Sequence, residues 1–375
     1  MEKFVCDSAE KTSTDKVDFF SFVRKRDEDS VWLDANLSTL KFKGMENVPM
    51  FVPMLAQGMN VNKETVSDTL VGTALTLLVP EAGGKVFPVG TSAVKSILDR
   101  TGLGTSGYER LSKRDRRGLE DVLNILSASN AGTGKIKVAD EKVRAIHSGR
   151  YASISASEIA DMADDYFKQN WPNAMFEHGY YSHELVQWVW NLSQYQAQFM
   201  SILPAGVLCN FEPMLVIESS DIALSAVSVR PCLKNGRSVI PMTRKIATTH
   251  IGGENICQRV EASFEAIYAT FQQALSNVNN LKDVHVRNGK NALLRVLKKN
   301  GMPKEQSYEA ADIYEQMFGS GSSNALDIYL AVCDAYAFVC RDTSSQKKCF
   351  DAADATSRVI YTRWADVDLP GNFDW

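Results

Sequence analysis

The chain has few of the residues that usually mark a reaction. Its five histidines, at 147, 178, 183, 250 and 285, form no H-E-x-x-H motif and no i,i+4 pair. No serine stands in a G-x-S-x-G elbow, so nucleophilic catalysis has no support in the pattern. Seven cysteines, at 6, 209, 232, 257, 333, 340 and 349, include no C-x-x-C pair. Their odd number argues against a disulfide framework in a chain with enough apolar residues for a core. Structural zinc wants paired Cys or His a few residues apart. Cys232, His250 and Cys257 are the one set that could meet in space, and free thiols are the simpler expectation. No apolar run approaches the ~18–20 residues of a membrane-spanning helix. The opening residues lack a basic start followed by an apolar stretch, so no secretory signal is read there. The expectation is a cytoplasmic protein with no membrane contact. Gly132-Thr133-Gly134-Lys135 fails as a phosphate loop, because Ser129 stands where Gly is needed and Ile136 where Ser or Thr is needed. No cofactor is implied.

Composition is ordinary for a globular chain, with 45% apolar and 23% charged residues in 375. The net charge of −4 hides an asymmetry. Residues 226–300 hold twelve Lys or Arg against four Asp or Glu, a local +8. A second basic cluster is Arg110, Lys113, Arg114, Arg116 and Arg117. The last ten residues, 366–375, hold three Asp, no base, and Trp375. They resemble in type the acidic, aromatic-ended tails of single-strand DNA-binding proteins; the simpler reading is a frayed polar terminus.

Four segments are expected: a mixed region over 1–85, an α+β core with an antiparallel sheet over 86–255, a helical region over 256–365, and an acidic tail over 366–375. Residues 69–79 are β-branched and apolar and read as a buried strand. Helices are read over 91–100 and 118–127. Ser155-Ala156-Ser157-Glu158 is a capping box opening a further helix. Val186, Trp188 and Trp190 alternate along a strand. More strands follow near 213–218, 222–230 and 238–249, with an Asn235-Gly236 turn between the last two. From Ile256 the period becomes 3.6. Ile256, Val260, Phe264, Ile267, Tyr268, Phe271, Leu275 and Val278 make one stripe of a long amphipathic helix of about seven turns. Shorter helices are expected near 288–299, 305–318, 323–340 and 345–362. The fold class is α+β: a central helix plus antiparallel sheet, then a long amphipathic helix and a helical C-terminal half.

The basic segment is the strongest chemical signal. Arg230, Lys234, Arg237, Arg244 and Lys245 fall on two strands and their turn, where they would neutralise phosphates. Trp188 and Trp190 would stack bases, which every base permits. The competing reading puts the tryptophans in the core and the bases on a solvated face. Glu158, Asp161 and Asp165 lie on one helix face and could hold Mg²⁺, or could simply favour the helix dipole.

Residues 138–151, VADEKVRAIHSGRY, with Ile154 beyond, resemble the "vRAilSdrYxpi" signature of a broad phage and plasmid family, domain of unknown function nine-three-two. Further motifs agree in order across about residues 90–345. These are 95–111, Glu218-Ser219-Ser220-Asp221, Lys234-Asn235-Gly236, His250-Ile251-Gly252 before the long helix, and Asp327-Ile328-Tyr329. His178-Gly179-Tyr180-Tyr181 has no counterpart. The resemblance implies a mobile-element origin and no established activity. The helix–sheet–long helix order resembles single-strand annealing proteins of the RecT and Red-beta type. The expected function is non-enzymatic single-stranded DNA binding, with a homo-oligomer engaged in annealing or recombination. The alternatives are a phage structural or interaction protein without nucleic acid and a metal-dependent nuclease.

Overall fold

The computed structural model describes residues 4–46, 48–201, 211–222, 226–235, 238–243, 245–248, 250, 255–343, 346–371 and 373–375. It is an α+β protein built on a seven-stranded, wholly antiparallel sheet. The strands run in the order Glu10–Ser13, Met175–Ser182, Val186–Asn191, Glu212–Ser219, Val227–Asn235, Ser238–Pro241, and Ile246–Thr248 pairs the far end of Val227–Asn235.

Alternation sorts the sheet into two faces. Tyr181, Trp188, Trp190, Leu215, Ile217, Val229 and Leu233 point to one face, into the main core. Helices Lys16–Glu28, Ala156–Asn170 and Ile267–Asn280 contribute Phe19, Phe167 and Phe271 to that core. Gly179 permits the closest approach there: a Cβ at this position would lie 2.2 Å from the Phe19 ring. The unmatched His178-Gly179-Tyr180-Tyr181 run is thus a strand whose glycine admits an aromatic ring. The other face carries Tyr180, Gln187, Val189, Glu218, Arg230 and Cys232, opposite helix Gln346–Val359.

The Ser155–Glu158 capping box is present on Ala156–Asn170. The long amphipathic helix divides at Ala266 into Ile256–Glu265 and Ile267–Asn280, and the expected stripe is buried except at Tyr268, which is half-buried at its edge. Four helices follow: Gly289–Lys299, Lys304–Phe318, Ala325–Asp342 and Gln346–Val359. Among the described residues, no helix is long and apolar enough to cross a membrane.

Two sequence expectations change. The run 69–79 is not one strand. Helix Lys63–Val71 comes first, with Val66 and Leu70 in a small core of their own, and the strand is Leu75–Val79. Nor does a boundary fall near 85. Strands Lys41–Gly44, Leu75–Val79 and Lys85–Pro88 form one sheet, and one core joins them to Ile97, Leu119 and Leu123 and to the Ser30–Asn36, Thr133–Ala139 and Lys142–Ser148 sheet. Residues 30–148 are therefore one packing unit, whereas 10–28 belong to the large sheet and its core.

Candidate nucleic-acid interface

The expected stacking residues are in the core. Trp188 and Trp190 are 0% and 2% exposed. Trp190 stacks on Phe167 at 4.3 Å between ring centroids, and Trp188 meets Phe19 edge-on. An incoming base cannot reach either ring. Their alternation marks the buried face of a strand, the commoner reason for large aromatics at that spacing.

Three of the five bases, Arg230, Lys234 and Lys245, are among the described residues, and they separate. Arg230 is buried on the opposite face of the sheet, paired with Asp354 at 2.5 Å and Glu218 at 3.4 Å. Gln187 and Ser228 also donate to Glu218. Lys234 is half-buried and pairs with Glu177. Of these three only Lys245 is exposed, and it lines a cavity of about 250 Å³ with Arg230, Tyr180 and Phe350. Arg237 and Arg244 lie outside the described residues. The carboxylates Glu184, Glu218, Asp351 and Asp354 line the same cavity, so it is not a cationic groove.

The acidic helix face is also occupied. Glu158 closes the capping box, Asp161 pairs with Arg24 at 2.6 Å, and Asp165 faces Lys168 at 3.6 Å. Among the described residues, no three His, Cys, Asp or Glu side chains stand close enough to hold a metal ion.

The signature motifs meet elsewhere, where residues 137–151 contact the large sheet. Four buried or half-buried cations, Arg26, Lys137, Lys142 and Arg144, interlock there with Asp7, Asp68, Asp140 and Asp221. Arg144 donates to Asp7 at 2.5 Å and to Asp140 at 3.2 Å. Arg26 donates to Asp140 at 2.7 Å and to the Tyr181 hydroxyl at 3.1 Å. That hydroxyl donates to Asp221 at 2.8 Å, and Lys137 donates to the Asp221 carboxylate and, at 2.6 Å, to its carbonyl. Burial alone would raise the Asp221 carboxyl, but Lys137 and Arg26 outweigh it and hold it at about 2. Beside the network, Tyr151 lies between His147 and His250, with ring centroids 4.8 and 5.3 Å away. His147 Nε2 lies 2.9 Å from the Ile222 carbonyl oxygen. Segments 138–151, 218–222 and 250 thus form one cluster. Every buried charge in it has a partner, so its chemistry is that of a latch between the two packing units.

His183 makes this latch acid-sensitive. It is buried, 3.4 Å from the Tyr181 hydroxyl and 3.1 Å from the Cys6 carbonyl. Burial, then Arg144, depress its pKa to about 4. The unfolded chain takes up this proton near pH 6.5 and the folded chain does not, so stability falls as pH drops from about 6.5 to 4. The loss should reach about 3 kcal/mol, at 1.36 kcal/mol per pH unit of pKa difference. Urea unfolding at several pH values should show this limb, and His183→Gln should flatten it. An unchanged slope in that variant would exclude His183 as its source.

Exposed, unpaired positive charge gathers at a different place, the elbow between helices Thr105–Arg114 and Arg116–Ala128. Asp115 ends the first helix and caps the second, accepting from the Gly118 N–H. Leu111 and Tyr108 anchor the elbow to the core. Arg110, Lys113, Arg114, Arg116 and Arg117 are all exposed, and none pairs with a carboxylate among the described residues. Arg110, Lys113 and Arg114 share one helix face at i, i+3 and i+4. Lys41 and Lys43 are exposed on the strand Lys41–Gly44 that packs against the second helix, where Asn124 bonds both backbone groups of Phe42. The cluster is visible in the sequence, and a further signal lies in Arg116 and Arg117. Cations in a helix's first turn oppose its dipole, so helix stability does not explain them.

Comparison with protein-family models, curated proteins and solved structures finds no match for this chain.

Proposed function

We propose that this protein binds single-stranded DNA, in a mobile element, through phosphate contacts at the basic elbow. The observation that carries this reading is the set of five exposed, unpaired cations within residues 110–117, with Lys41 and Lys43 on the adjoining strand. Phosphate neutralisation by such side chains is the main source of sequence-independent affinity. The convergence of the signature segments supports treating residues 90–345 as related to the phage and plasmid family.

The test is fluorescence anisotropy with labelled single-stranded and duplex oligonucleotides over a salt series. Replacing Lys113, Arg114, Arg116 and Arg117 together with alanine should weaken single-strand binding. The slope of log K against log salt should shrink by about 0.7 per lost contact, so by about 3 for the four. Unchanged affinity and slope would remove the elbow from the site. A preference for duplex would overturn the single-strand reading.

An oligomer has its own supporting observation. Met50, Met54 and Val71 are 77%, 61% and 89% exposed on neighbouring helices, with exposed Phe51 beside them. Contiguous apolar surface of this kind marks contact with another protein. A second copy of this chain is the occupant we propose. Light scattering should give a multiple of the 41.6 kDa chain mass, and Met54→Glu should reduce it to one.

A further inference from the structure

We propose that helix Gly289–Lys299, with Lys304 and Tyr308, forms a second contact surface for single-stranded nucleic acid, and that residues 369–375 occupy it in the free protein. This inference rests on the nucleic-acid reading above but concerns a different face.

The segment that covers the surface is docked, not frayed. Val367 is buried. The Asp368 carboxylate accepts from the backbone N–H groups of Arg287 and Asn288 at 2.9 and 2.8 Å, and from the Asn288 side chain at 2.9 Å. Asn291 donates to the Gly371 carbonyl. The chain then lays two rings on the helical surface. The Phe373 ring receives Arg295 at 5.2 Å and Lys298 at 5.3 Å from its centroid. Trp375 lies 6.0 Å from Tyr308, and Lys304 stands 5.8 Å from the other ring of that pair, Tyr308.

The cations beneath are unspent. Lys290, on the same helix, is paired with Asp312 and Glu315. Arg295, Lys298, Lys299 and Lys304 pair with no carboxylate among the described residues. The Arg295 Nε is buried with no hydrogen-bond partner. A buried guanidinium N–H short of an acceptor is costly unless it serves something else. A cation facing a ring is bound by the ring's quadrupole, and a nucleobase presents the same flat face to Arg and to aromatic side chains.

The covering residues have the matching alternation. Phe373, Asp374 and Trp375 place a ring, an anion and a ring in succession, as a single strand places base, phosphate and base. The surface thus holds an internal imitation of its partner. Because the segment is tethered, its local concentration at the surface is high, and an external strand must displace it.

The experiment uses the full chain and a labelled single-stranded oligonucleotide at low salt. Phe373→Ala, Asp374→Ala and Trp375→Ala combined should tighten binding about tenfold, with the gain shrinking as salt rises. Adding Arg295→Ala and Lys298→Ala should abolish that gain. Unchanged or weaker binding in the triple variant overturns the inference, while elbow-dependent binding by the unmodified chain would leave the function itself standing. No binding by any variant would overturn both. A second readout does not depend on variant stability. In protein labelled with 5-fluorotryptophan, the Trp375 resonance, assigned through Trp375→Phe, should shift when oligonucleotide is added. A resonance that stays fixed while the oligonucleotide is bound also overturns the inference.

Discussion

Asp221→Ala should destabilise the fold by about 3–5 kcal/mol, because it strips a buried cation of its counter-charge. Lys137 is 3% exposed and loses its carboxylate partner, keeping the carbonyl of residue 221 and the face of Trp32. Tyr181 loses its acceptor, and Arg26 loses the attraction of the Asp221 carboxylate. Against a total stability of typically 5–15 kcal/mol, this is a large fraction. The acid limb gives an independent check. The folded Asp221 carboxyl titrates at about 2, below its unfolded value near 3.8, so it contributes stability above pH 4. That contribution is lost as pH falls toward 2. In Asp221→Asn this limb should disappear while the His183 limb at higher pH remains. A urea midpoint within experimental error of the parent for Asp221→Ala would mean that the latch contributes nothing.

Phe264→Ala should cost a similar ~3–5 kcal/mol for a different reason. Phe264 is 1% exposed and stacks on Tyr166 with ring centroids 5.6 Å apart. It joins helix Ile256–Glu265 to helix Ala156–Asn170, so truncation leaves a void between two elements that cannot easily close. Thermal unfolding of the variant beside Phe264→Leu tests this: leucine should recover much of the loss. A melting temperature for the alanine variant within a degree of the parent would contradict the packing.

These two residues also show what the sequence makes legible. Phe264 is readable because helical periodicity is local: Ile256, Val260, Phe264 and Ile267 repeat at intervals that permit only one buried stripe. Even the division at Ala266 leaves that stripe intact. Asp221 is not readable as a site, because its partners Lys137, Tyr181 and Arg26 lie 84, 40 and 195 positions away in the chain. No short-range pattern encodes that meeting. The tryptophans fall between these cases. Alternation shows that Trp188 and Trp190 share a face, but the same spacing serves a core face and a binding face equally. Helices Lys16–Glu28 and Ala156–Asn170 decide between them by covering that face. Likewise the charge count locates basic segments but not their pairing, so Arg230 and Lys234 meet carboxylates while the elbow cations do not.

The outermost strand of the large sheet has a consequence for how the molecule is made. Among the described strands, Glu10–Ser13 pairs with residues 179–182 alone. At translation rates of ~5–20 residues per second, it waits on the order of ten to thirty seconds for that partner to be synthesised. Helix Lys16–Glu28 waits with it, because Phe19 and Phe20 enter a core built from helix Ala156–Asn170 and from Phe176 and Trp188. Residues 30–148 carry their own core and can close during that interval. Residues 30–148 are therefore expected to fold before residues 10–28, and helix Lys16–Glu28 is the stretch a chaperone would have to shield.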